Sequence, residues 1–186
     1  MKTGNDNNNH HSIFGVFFIS IAISIALAAI ITEIASINKV PVYYYPIIWI
    51  GSFAITCLTL FHNKRGLLCS VQSRMRNSFS WPGKVKVLNG ICWAGPFAVI
   101  ATYPSLLPYL VLVGIGLGNI STYLLLRKYN GIDYREQLIV GIVSLAALPV
   151  TYVMIKEDIA VMLSRFFISL AYAVGGVYAI VTDNRK

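Results

Sequence analysis

Residues 87–126 read VLNGICWAGPFAVIATYPSLLPYLVLVGIGLGNISTYLLL, 40 positions without an Asp, Glu, Lys or Arg. A helix needs about 20 residues to cross about 30 Å of hydrocarbon, so this run is roughly two crossings long. One straight helix of that length would carry its second half bare into water, so the run must fold back on itself. Tyr103-Pro104-Ser105 is the natural turn, and Pro108 suits the first turn of the returning helix. The segment therefore reads as a hairpin of two membrane spans, at about 87–103 and 105–126.

Stretches of similar length flank the hairpin on both sides. Spans are expected at about 13–32, 43–61, 137–155 and 159–181, which makes six. The fold class read from the sequence is an all-α integral membrane protein, one six-helix transmembrane domain over 13–182. A polar, Asn-rich tail at 1–12 has too little apolar surface to order, and a short tail follows at 183–186. The first stretch is longer than a secretion signal's apolar core and follows only Lys2, so it is read as a retained anchor. Pro149 removes a backbone donor and should kink the fifth span.

Composition agrees with lipid as the main solvent. Of 186 residues, 56% are hydrophobic and only 12% charged, with a mean hydropathy of +0.68. A water-soluble domain of this length needs more charge to cover its surface. The net charge of +8 could suggest nucleic acid, but the basic residues cluster just outside the apolar stretches. Membrane orientation and anionic headgroups explain that placement, and no nucleic-acid partner is expected. Cys57, Cys69 and Cys92 lie far apart and give no expectation of a structural disulfide.

Orientation follows from where the 15 Lys and Arg fall. With the N-terminus in the cytoplasm, 12 of them lie in cytoplasmic segments and only Lys39 and Lys156 lie outside. Basic residues in short loops resist translocation, so both ends and the long loop at 62–86 are expected inside, at the plasma membrane. In that loop Leu67, Leu68, Val71, Met75 and Phe79 recur at helical spacing opposite Ser70, Ser73, Arg76 and Asn77. The pattern predicts an amphipathic helix lying in the headgroup layer between the second and third spans. Arg74, Arg76, Lys84 and Lys86 are its candidates for docking to lipid or a partner.

Few residues suggest chemistry. Arg165 is the one charge inside a span, and an arginine near the bilayer centre costs on the order of 2.5–3.5 kcal/mol on insertion scales. Its place near the external end, with Glu33 closing the first span on that side, suggests an ion pair fastening the first helix to the sixth. An anion or substrate contact is the alternative. Small residues form packing stripes: Gly114 and Gly118 in the fourth span, Ala171, Gly175 and Ala179 in the sixth, and Ser20, Ser24 and Ala28 in the first. Asn89, Asn119 and Ser121 either line a polar path or bond across helices.

No H-x-x-x-H, paired carboxylates or Ser-His-Asp set can be assembled, so no catalytic, metal or cofactor residues are assigned. Packing features abound where reactive groups do not. The expected role is a non-catalytic integral subunit or accessory protein of a larger membrane complex. Its partners would be the bilayer and other membrane subunits, or further copies of itself. A small homo-oligomeric transporter or channel is the alternative, with a membrane-embedded enzyme third.

Overall fold

The computed structural model describes residues 8–61, 81–153 and 157–183. Among these the protein is helical, without a strand. The long helices are α1 (Asn8–Ile37), α2 (Tyr45–Phe61), α3 (Gly83–Thr102), α4 (Leu107–Asn130) and α7 (Glu157–Asp183); between the last two lie α5 (Arg135–Ala146) and α6 (Leu148–Tyr152). Short 3-10 turns precede α2 and α4, at Val42–Tyr44 and Pro104–Leu106. The expected interfacial helix of the 62–86 loop, with Arg74 and Arg76, lies almost wholly outside the described residues. So do residues 1–7 of the polar tail.

Each of the six apolar stretches is helical. Four segments are long and apolar enough to cross a membrane: Phe14–Ile37, Gly83–Thr102, Pro104–Asn130 and Asp158–Thr182. The apolar part of α2, Tyr45–Thr59, is shorter. The fifth stretch is divided, because Pro149 in the first turn of α6 has no N–H to carry the α5 ladder onward. Boundaries also differ from the uncharged runs. α1 starts at Asn8 and continues to Ile37, taking Glu33 into the helix, and α3 starts at Gly83, placing Lys84 and Lys86 in its first turn. A helix does not stop where charge begins; it stops where its backbone is capped or its chain turned.

The turns have such causes. α4 ends because Gly131 takes a left-handed conformation, φ 65°, and returns its N–H to the Leu126 carbonyl. Tyr103 and Pro104 break the chain between α3 and α4, and Pro108 opens the returning helix.

The centre of the bundle is α1, α4, α5 and α7. α1 and α7 share the most extensive contact, and α5 sits against both α4 and α7. Phe14, Phe18, Ala22, Leu112, Val140, Ile168, Ala171 and Tyr172 form the core at their junction. The two remaining helices are wings: α2 lies on α1, burying Ser52 and Thr56, and α3 lies on α4. No residue of α3 is buried.

Backbones approach closely wherever two glycines or a glycine and a carbonyl meet. A Cβ on Gly15 would come within 2.7 Å of the Gly176 carbonyl, and one on Gly176 within 2.8 Å of the Gly15 carbonyl. Gly116 and Gly141 join α4 to α5 in the same manner.

Candidate functional site

The polar side chains fall into three groups along the bundle. At the end where α1, α5 and α7 bring together Phe14, Tyr134, Arg135 and Tyr178, the α4–α5 turn carries a charged network. The Arg135 Nε donates to Asp133 Oδ2 at 2.9 Å, the Tyr123 hydroxyl donates to Asp133 Oδ1 at 2.9 Å, and Arg127 donates to that hydroxyl at 3.2 Å. The Arg135 hydrogen bond, helped by Tyr123, holds the Asp133 carboxyl below the usual carboxylate range, against the opposing effect of partial burial. Trp81 is buried beside Leu126 and Tyr134, and its indole N–H donates to Asn130 Oδ1 at 2.7 Å. It pins the start of α3 to the end of α4.

In the middle, Asn89 of α3 faces α4. Its Oδ1 accepts from Ser121 at 2.7 Å and from Thr122 at 3.1 Å, while Trp93 donates to Thr122 at 3.0 Å. Asn119 of α4 donates to the Ile115 carbonyl at 2.9 Å and reaches the Tyr172 hydroxyl of α7 at 3.4 Å. The amides and hydroxyls of the hairpin are thus engaged across helices, each such bond contributing about 0.6 kcal/mol.

At the opposite end, Arg165 of α7 is half-buried, with its guanidinium 5.7 Å from the centre of the Trp49 ring of α2. Glu33 of α1 is near enough to act on it electrostatically. Among the described residues, however, no carboxylate oxygen lies within 4.0 Å of it. Sequence reading placed Glu33 and Arg165 at one end of the bundle. The contact made there is with an aromatic face, contributed by a helix that charge counting could not have linked to α7.

The packing residues sit where close approach occurs. Ala171 and Ala179 are buried, and a Cβ on Gly175 would come within 3.0 Å of the Glu136 carbonyl of α5. Gly114 and Gly118 make room for the rings of Phe97 and Trp93 of α3. Ser20, Ser24 and Ala28 are buried, with Ser169 of α7 donating to the Ala22 carbonyl beside them at 2.9 Å. Lys84 and Lys86 are both exposed at the start of α3.

Two features escaped the sequence. Glu136 is only 2% exposed although it borders a charged connector, and its position in the first turn of α5 is where the helix dipole favours a carboxylate. Tyr172 is buried in the core, and its spacing from Asn119 gives no cue to their contact. Cys57 and Cys92 are free.

No known protein family, curated protein or solved structure matches the chain.

Proposed function

We propose that this chain crosses the plasma membrane six times, with both ends and the basic connectors in the cytoplasm, as a non-catalytic subunit or accessory protein of a larger membrane complex. Twelve basic residues against two support the orientation. Aromatic belts support the crossing. Tyr43, Tyr103, Tyr109 and Tyr152 lie at one end and Tyr129 and Tyr178 at the other. The 20 residues from Tyr109 to Tyr129 span about 30 Å at about 1.5 Å each.

The observation that carries the subunit reading is α3. It is 20 residues long and buries none of them, yet turns an outward stripe of Gly90, Ala94 and Ala98 away from α4. The stripes of Ser20, Ser24 and Ala28, of Gly114 and Gly118, and of Ala171, Gly175 and Ala179 are covered by neighbouring helices, and in membranes such stripes let helices approach closely. Purification in mild detergent tests the reading. Unrelated chains should co-isolate in fixed ratio and be lost from an Ala94→Trp variant that remains folded.

The break between α5 and α6 favours the transporter as second reading, since interrupted helices recur around substrate paths. A lone homo-oligomer that moves a solute in liposomes would establish it and remove the first.

A further inference from the structure

We propose that Arg165 of α7, beside Trp49 of α2, is a binding site for a phosphate group, presented by a phospholipid headgroup of the outer leaflet. The inference rests on the chain crossing a membrane and not on its being a subunit.

A guanidinium stays charged at any pH the protein meets, and its five N–H donors lie in one plane around the edge of the group. The Trp49 ring, with its centre 5.7 Å from the guanidinium carbon, supplies cation–π attraction but offers no oxygen acceptor to the donors. Among the described residues Arg165 makes no hydrogen bond or ion pair. Burying such a group in hydrocarbon with its donors unmet is costly, so acceptors must come from outside the chain.

Position narrows the choice. Arg165 is eight residues from the start of α7, about 12 Å at about 1.5 Å per residue, which a long side chain shortens by reaching toward the headgroups. Trp49 is four residues into α2, and the exposed Tyr43 and Tyr44 lie just before it. From the Arg165 backbone a side chain that reaches back along the helix brings its guanidinium towards the acyl ester and phosphate groups of the outer leaflet. A phosphate offers paired oxygens that match the guanidinium fork, with shorter and stronger bonds than a neutral acceptor provides. Glu33 contributes a field that keeps the arginine's surroundings from being strongly positive, but it does not occupy the fork.

The test uses the full chain in a phosphate-free maltoside detergent and follows its thermal unfolding midpoint. A short-chain phosphatidylglycerol should raise the midpoint saturably, whereas the matching diacylglycerol, which lacks phosphate, should not. Arg165→Gln should weaken the apparent affinity by about ten-fold or more, the loss expected for charge-assisted hydrogen bonds. Arg165→Lys, which keeps the charge but not the fork, should fall between. Glu33→Gln should leave the response intact or tighten it. Inorganic phosphate separates the sources. If it cannot compete at millimolar concentration, the ligand is the headgroup; full competition assigns the site to a free phosphate and overturns the lipid source. Equal stabilisation by diacylglycerol, or an undiminished response in Arg165→Gln, overturns the site altogether. So would a wild type indifferent to phosphate in which Glu33→Gln and Arg165→Gln lower the midpoint equally, since the carboxylate would then be the true partner.

Discussion

A methyl group added at Gly176 has nowhere to go. It would lie 2.8 Å from the Gly15 carbonyl and 2.7 Å from Ile19, and a backbone oxygen cannot swing aside as a side chain can. Gly176→Ala should therefore push α1 from α7 and cost about 1–3 kcal/mol, the usual range for overpacking. Gly118→Ala should fall in the same range, because the Trp93 ring that it would meet is held by its bond to Thr122. Gly90→Ala is the control: nothing lies within 4 Å, so in the isolated chain it should change stability by no more than about 0.5 kcal/mol. Denaturant titration of the three variants in detergent checks the order. The spacing of Gly114 and Gly118 marks them as packing candidates. Gly15, Gly116, Gly141 and Gly176 bear no such mark, because their significance lies in pairs drawn from different helices, and a linear pattern carries no record of which helix meets which.

At the scale of an element, the α4–α5 turn is held by charge as well as by the left-handed Gly131. Asp133 has its carboxyl depressed by Arg135 and Tyr123, so ionised Asp133 favours the folded turn. That contribution is fully present above the ordinary carboxylate value of about 4 and is lost as pH falls through the lower folded value. Trp81, bonded to Asn130 within this region, reports on it. Acidification below about pH 4 should shift tryptophan emission towards that of exposed indole in the wild type, and Asp133→Asn should flatten the transition. The Tyr103-Pro104 reversal and a kink at Pro149 were readable in the sequence, since proline acts on the backbone where it stands. The charged network around the α4–α5 turn was not. Tyr123 and Tyr178 enter it from helices whose hydroxyls look in sequence like interfacial anchors. Uncharged runs do not mark helix ends: α1 and α3 each continue for about another turn beyond theirs.

Across the whole molecule, the sequence made the helical class and the membrane setting legible, because hydrocarbon excludes charge over lengths set by helical rise. The arrangement of the helices was not legible. That α2 and α3, consecutive in the chain, become separate wings on α1 and α4 depends on side-to-side packing, which small-residue stripes permit without dictating a partner. We propose that this bundle is threaded through a bilayer six times with its basic end inside. Single cysteines placed in an otherwise cysteine-free chain, probed with a membrane-impermeant maleimide on intact cells, test it directly. Substitutions at Lys39, Ser105 and Asp158 should label from outside. Those at Gly83, Lys128 and Asp183 should label only after permeabilisation. Labelling of Gly83 or Lys128 from outside, or protection of Ser105 or Asp158 in intact cells followed by labelling once the membrane is opened, would contradict the threading.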